Sequence, residues 1–451
     1  MGAAPRDTAL DALRGLAILG MVLSGSLGFG PALPGWMFHA QVPPPLHKFV
    51  PTLPGISWVD LVFPFFLFSL GAALPLAMQR VGSGFQVLKL SARRFALLLF
   101  FALFTQHMKA WVIAVVPDWQ AQLLSIGGFV LLGLLLTART PGLLKGAAWA
   151  AALALLALLP FQNGAGFDWG RSDIILVVLA NMALFGGLQW GATRTRPLLR
   201  LALLPLLAAV LLARGLPADA GFSATAWLLH ATPAAWAYQF FYLKYLFIVV
   251  PGMFAGEWLL RQRALPTAAV TPGLAAAALA LIVLNVALLY RHDALALQVN
   301  LGLSLLLCAA MAWWARRSRA DALTQRCVQA GGYLLALGLA LEALEGGIRK
   351  DSSTFSYYFV SSGLAFFALL ALRGCAPGLR DYLAVHGRNP LLAYVAGSLL
   401  LLPLLHLTGL YPLWAGLTDN AGQALLRGLL FTAAVSALTL ICTHRGWVWK
   451  S

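Results

Sequence analysis

Apolar stretches of about twenty residues recur from one end of this 451-residue chain to the other, and few folds accept such a pattern. The bilayer core holds no water to satisfy backbone N–H and C=O groups, so a stretch that crosses it must close its own hydrogen bonds as a helix. Apolar residues make up 61% of the chain and charged ones 10%. A soluble protein so composed could not cover its surface with polar groups. The expected fold is therefore all-α, a polytopic integral membrane bundle of about 11–14 transmembrane helices. Hydropathy places candidate spans roughly at 10–29, 57–79, 95–115, 119–137, 144–160, 173–191, 197–214, 238–260, 268–290, 296–315, 327–346, 355–373, 391–409 and 423–443. The first begins near Thr8 and lacks a cleavage site, so it reads as a retained span.

Charge orients the bundle. A net charge of +16 would point a soluble chain towards nucleic acid. Here the basic residues cluster at span ends. With the N-terminus cytoplasmic, most of the 31 Lys and Arg fall on inner loops. They include Arg80, Lys89, Arg93 and Arg94, then Arg194, Arg196 and Arg200, then Arg316, Arg317, Arg319 and Arg326. The implied partner is the lipid bilayer and not nucleic acid.

The costly polar groups gather near the start of the chain. Leu10-Asp11-Ala12-Leu13-Arg14-Gly15 opens the first span, and Ser57-Trp58-Val59-Asp60 leads into the second, which Pro64 interrupts. Ionisable groups at such places usually mark a working site. Between the two runs an outward loop, 30–56, with Pro31, Pro34, Pro43, Pro44, Pro45, Pro51 and Pro54. Neither a helix nor a central strand accommodates that spacing, so the loop is expected to be a rigid irregular cap. The other long outward connection is 215–237.

Two histidines stand in the first loop. His47 can act as a general base near neutral pH or carry an acyl group on nitrogen, with Asp60 fixing its tautomer; equally, it can be a solvated loop residue. His39 competes for the same role, or packs among aromatics. Asp11 and Arg14 lie three apart on one helix face, as an ion pair or with Arg14 meeting an anionic ligand. Arg93 and Arg94 either anchor the third span or hold phosphate. Asn389, ahead of Pro390, reads as a helix cap or a ligand contact. Glu342 and Glu345 either face a hydroxyl-rich or cationic substrate or pair with Arg349 and Lys350. Gln106, His107, Lys109 and Lys244 add polar groups near the outer boundary. No two histidines have metal-ligand spacing, and Cys308, Cys327, Cys375 and Cys442 are expected to be free.

Leu10–Gly15 and Trp58-Val59-Asp60-Leu61-Val62-Phe63-Pro64-Phe65-Phe66-Leu67-Phe68 resemble the two signature segments of the heparan-α-glucosaminide N-acetyltransferase family of transmembrane acyltransferases. Gly387-Arg388-Asn389-Pro390-Leu391-Leu392-Ala393-Tyr394 is similar to that family's late Asn-and-Tyr segment. Glu345–Asp351, followed by Ser361-Ser362-Gly363-Leu364-Ala365, looks like a bacterial, DUF5009-like branch. The resemblance implies one transmembrane acyltransferase domain over 1–451, with its signature part at 8–80, in a bacterial inner membrane. It implies transfer of acetyl from cytosolic acetyl-CoA to the amino group of a glucosamine-type sugar or glycan acceptor on the outer face.

The resemblance also implies a catalytic histidine between the signature segments. Position points first to His47 and the His-Ala dipeptide to His39, with Asp60 beside it. Coenzyme A would meet Arg14, Arg93, Arg94 and Asn389, and the acceptor would meet Asp11 and Glu345. No metal is expected, and a homodimer is left open. Two alternatives stand beside this: an amino-sugar transporter, and an O-acetyltransferase of an envelope glycan. Accumulation of unmodified sugar would mark the first, and preference for hydroxyl acceptors the second.

Overall fold

The computed structural model describes residues 7–30, 32–215, 223–262 and 270–450; Pro31 and part of the 215–237 connection lie outside them. The chain is 76% helical, and among the described residues its only β-pairing is one isolated bridge, Thr137 to Trp449. In chain order the main helices are α1 (Thr8–Ser26), α2 (Trp58–Met78), α3 (Gly84–His107), α4 (Trp119–Leu136), α5 (Gly142–Leu158), α6 (Ile174–Thr193), α7 (Pro197–Leu212), α8 (Leu246–Gln262), α9 (Pro272–Arg291), α10 (Ala294–Arg317), α11 (Ala322–Leu344), α12 (Phe355–Gly374), α13 (Pro377–Arg388), α14 (Pro390–Leu407) and α15 (Ala421–His444).

Twelve helices among the described residues are long and apolar enough to cross a membrane, and the chain is an integral membrane protein. α3 and α5 occupy the other two segments expected from hydropathy. α3 runs to 24 residues but carries Lys89, Arg93 and Arg94 in its first half, and α5 has 17 residues. The sequence placed the third span at 95–115. α3 instead starts at Gly84, where the Ser83 side chain accepts the Gln86 N–H, and stops at His107. α13 matches no expected span, being short and amphipathic.

Aspartates start many of the helices. Asp7, Asp118, Asp173, Asp293 and Asp321 accept first-turn N–H groups of α1, α4, α6, α10 and α11 at 2.7–3.2 Å. Such a cap satisfies an orphan donor and complements the helix dipole. A third of the 15 acidic residues are thus committed to architecture, which narrows the candidates for chemistry.

The chain packs as two compact units. One comprises Met1–Leu76, Pro251–Ala393 and Leu413–Thr443; the other comprises Ala77–Val250, Tyr394–Pro412 and His444–Ser451. In the first unit α12 is the most enclosed helix, flanked by α9 and α11, while α1 lies along α13. In the second, α3 packs on α6, and α4 packs on α5 and α14. α10 and α7 leave large apolar side chains exposed, among them Leu306, Trp313, Leu198 and Leu206. Lipid tails cover such surfaces at no cost. The four cysteines are free.

Two helix crossings in the first unit depend on glycine. A Cβ on Gly15 of α1 would land on the Leu383 carbonyl oxygen of α13, and one on Gly387 would land on the Asp11 carbonyl oxygen. Gly252 and Gly256 of α8 meet the Phe68 and Ala72 carbonyls of α2 in the same way. With no hydrophobic drive between helices in lipid, such close backbone approach supplies the packing. Gly387→Ala should therefore destabilise by roughly 1–3 kcal/mol, seen as a lower thermal unfolding midpoint of the detergent-solubilised protein. Gly146→Ala, in open space on α5, should leave the midpoint unchanged.

Candidate functional site

The first turn of α2 is a capping box. Ser57 Oγ accepts the Val59 N–H at 3.2 Å, and Asp60 Oδ2 accepts the Ser57 N–H at 2.9 Å. The Asp60 carboxylate does more than cap. Oδ2 also accepts the Ala40 N–H at 3.1 Å, and Oδ1 sits 2.7 Å from His39 Nδ1. Ser57 Oγ donates to the Phe38 carbonyl at 2.6 Å, and the Tyr357 hydroxyl of α12 donates to the Asp60 carbonyl at 2.8 Å. A proline-rich loop is thereby folded back onto the helix start.

A carboxylate can only accept, so Nδ1 of His39 carries the hydrogen and Nε2 presents the ring's lone pair. The Asp60 side chain is 3% exposed and that of His39 38%. A buried orienting acid behind a reachable imidazole is the arrangement general-base catalysis uses.

A third ionisable group arrives from the far end of the sequence. Lys350 Nζ lies 3.2 Å from His39 Nδ1 and 3.4 Å from Nε2. The segment that carries it is anchored on both sides. Asp351 donates its N–H to Gln41 Oε1 at 3.0 Å, and Gln41 Nε2 donates back to the Asp351 carbonyl and to Pro51 O. The Gly55 N–H donates to the Ile348 carbonyl at 2.8 Å. Gly347, at φ +107°, fits against Pro54 and His292 where a side chain would clash. His292 ends α9 and forms a second histidine–carboxylate pair, Nε2 to Glu342 Oε1 at 2.6 Å.

The expected pairing of Asp60 with His47 is corrected: Asp60 holds His39. The ring of His47 is packed edge-on to Phe29 and Phe38, at 5.0 and 4.5 Å, and its Nε2 accepts the Gly30 N–H at 3.0 Å. This closes the loop on itself and places His47 in the aromatic packing role that the sequence offered to His39.

Glu345, expected to face the acceptor, has both oxygens taken. They accept the Phe355 and Ser356 N–H groups at 2.7 Å each, capping α12, whose own cap residue Thr354 makes no side-chain cap bond to a first-turn N–H. Asp11, also assigned to the acceptor, lies in the first turns of α1, at the end away from the His39 loop. It pairs with Arg14 at 3.3 Å and faces Arg388 at 3.8 Å. Arg14 donates further to the Gly387 and Ser69 carbonyls at 3.1 and 3.3 Å. It ties α1, α13 and α2 together where a phosphate contact was expected.

Arg93 and Arg94 belong to the second unit; Arg93 is exposed and Arg94 half-buried. Asn389, fully buried between α13 and α14, donates to Thr443 Oγ1 at 3.2 Å. Tyr394 donates to Asp173, the α6 cap, at 3.0 Å. His107 is buried against Phe167 and accepts the Asp168 N–H, Lys109 reaches Gln106, and Lys244 lies over the Phe241 ring.

Sequence reasoning passed over Lys350 as a pairing partner for the glutamates, and Gln41 altogether. Neither carries a local signal, since the partners of each stand about 310 positions away in the chain.

A helical membrane bundle with a histidine–aspartate pair at one end of its first unit is the class that fold and site define. The chain matches the family described as "Domain of unknown function (DUF5009)" over residues 6–259, more than half its length, and belongs to that family. No curated protein matches it.

Gln41 is the main polar tie between the His39 loop and the Lys350 segment. Gln41→Ala should speed hydrogen exchange at the Asp351 amide and its neighbours. The Arg373–Asp321 bridge, at 2.8 Å on the other end of α11 and α12, is the internal reference, and exchange around Thr324 should not change.

Proposed function

We propose that this protein is a membrane-embedded acyltransferase in which His39, oriented by Asp60, is the general base. The donor is acetyl-CoA, and the acceptor is the amino group of a glucosamine-type sugar at the face that carries the 30–56 loop, outward in a bacterial inner membrane. The observation that carries the reading is the 2.7 Å contact between His39 Nδ1 and a buried Asp60. Two further things support it. The segments that resemble the heparan-α-glucosaminide N-acetyltransferase family include the turn that holds Asp60. The dipeptide His39-Ala40 supplies both the imidazole and one of the N–H groups on that carboxylate.

The chemistry follows from the atoms. A protonated amine has no lone pair and cannot attack a thioester, so the acceptor reacts as its neutral amine, and a base must take the proton that the nitrogen sheds once the C–N bond forms. Nε2 of His39 is the lone pair on offer, with Nδ1 held by Asp60 and Lys350 Nζ 3.4 Å from Nε2. Arg14 is committed to backbone carbonyls and to Asp11; Arg93 and Arg94, the other arginines considered for phosphate, are not. Both lack an ion pair among the described residues.

The test is transfer of labelled acetyl from acetyl-CoA to glucosamine by the purified protein. General-base catalysis is worth about 10²–10⁴-fold, so His39→Ala should lose activity in that range. Asp60→Asn should lose much of it by removing the orienting charge, and His47→Ala should keep most of it. A dead His47→Ala beside an active His39→Ala would reverse the assignment. Preference for a hydroxyl acceptor would convert the reading to O-acetylation of an envelope glycan.

A second reading has one observation in its favour. The run from α13 to α14 is broken at Asn389-Pro390 and again by a π-helical turn at Gly397–Leu401. Interrupted helices of this kind form substrate sites in transporters. In proteoliposomes a transporter would accumulate unmodified amino sugar without acetyl-CoA, whereas the acyltransferase should not.

A further inference from the structure

We infer that Lys350 is a catalytic residue, the donor that stabilises the oxyanion formed when the acyl carbonyl is attacked beside His39. The inference rests on the acyl-transfer reading above. Its own observation is the position of the ammonium, within 3.4 Å of both ring nitrogens of His39. Nδ1 is already bound to Asp60 at 2.7 Å, so Lys350 lies over the edge of the ring that joins Nδ1 to Nε2. It therefore stands next to the nitrogen that would take the proton. No carboxylate lies within ion-pair distance of Lys350 among the described residues; its nearest polar partner is the imidazole itself.

The Asp60 carboxylate on the same ring attracts the ammonium, yet Lys350 sits beside the imidazole edge and not in an ion pair with that acid. Nothing in the local sequence requires that placement. The segment Glu342–Thr354 is nevertheless pinned at several points. Glu342 is bound to His292, Glu345 caps α12, Gly347 fits against Pro54, Ile348 accepts the Gly55 N–H, and Asp351 exchanges hydrogen bonds with Gln41. Rigid support of this sort is what an oxyanion donor needs, because a donor that must reorganise during the reaction contributes little.

The amine nitrogen of the acceptor attacks the thioester carbonyl, a C–N bond forms, and the carbonyl π pair moves onto oxygen beside the Lys350 ammonium. The nitrogen loses its proton to His39 Nε2. Collapse of the intermediate restores the carbonyl and breaks the C–S bond, and the coenzyme thiolate leaves and takes the proton from His39. The products are an N-acetyl sugar and free coenzyme A.

Loss of one oxyanion donor typically costs about 10²–10³ in kcat. Lys350→Met should show that loss with KM for acetyl-CoA and glucosamine unchanged, and Lys350→Arg should recover part of it. A purely structural lysine would not divide kcat from KM in this way or respond to the conservative change. Should K350M elute aggregated, Lys350→Leu, which likewise removes the donor, carries the same comparison.

The outcomes separate the two claims. Activity lost in His39→Ala but retained in Lys350→Met overturns the lysine's role and leaves the base in place. A raised KM at unchanged kcat makes Lys350 a ground-state binder and also overturns it. A wild-type protein that transfers acetyl to neither amine nor hydroxyl acceptors removes the acyl-transfer reading, and Lys350's role with it.

Discussion

The carboxylate of Asp60 is the group on which the rest of the site depends. Burying an ionised carboxylate costs several kcal/mol unless its lone pairs are met by donors. Here they are met by the N–H groups of Ser57 and Ala40 and by the ring of His39. Two of those three donors come from the loop, not the helix, so satisfying Asp60 and folding the loop are one event. The loop then presents Gln41, which binds Asp351 and sets Lys350 over the imidazole. A chain of single requirements thus runs from a helix cap to a three-residue constellation.

The other polar cluster near the chain start has a different physical purpose. Close approach of α1 and α13 through Gly15 and Gly387 brings backbone carbonyls together inside a low-dielectric bundle. Carbonyls there favour a cation, and Arg14 supplies one to Gly387 and Ser69, with Asp11 balancing its charge. The Asp-Ala-Leu-Arg-Gly run is therefore a joint: glycine permits the approach, and arginine joins the groups that the approach exposes. Such a motif looks the same in sequence whether its arginine holds backbone or ligand.

That ambiguity explains which features could be read in advance. Spanning helices announce themselves locally, because each needs only a window of apolar residues and closes its own hydrogen bonds. The layout was accordingly legible, apart from α3, whose charged first half disguises its start, and the amphipathic α13. Asp60 was legible too, as an acid opening an apolar run. The choice between His39 and His47 was not, for it depends on how a proline-rich loop turns back on itself. His47 ends up between Phe29 and Phe38 for reasons of packing. Glu345 presented a signal of the right type and proved to cap a helix ten residues on, since Thr354 leaves those N–H groups without a side-chain partner. Local patterns determine helices and caps, but which polar groups finally meet is decided by contacts hundreds of residues apart.

Charge balance links the constellation to the reaction proposed for it. Carboxylate, neutral imidazole and ammonium sum to zero, the state least costly to hold at the edge of a membrane. Attack on a thioester moves a proton to the imidazole and places a negative charge on the carbonyl oxygen. The new pair of opposite charges appears between an acid already facing the ring and a cation already facing the oxygen. The net charge remains zero throughout, and each new charge has its counter-charge in place beforehand. With Asp60 alone, the imidazolium would be matched and the oxyanion left to water. In the proposed reaction Lys350 completes the set, and the segment that carries it is tied down beside the loop through Gln41.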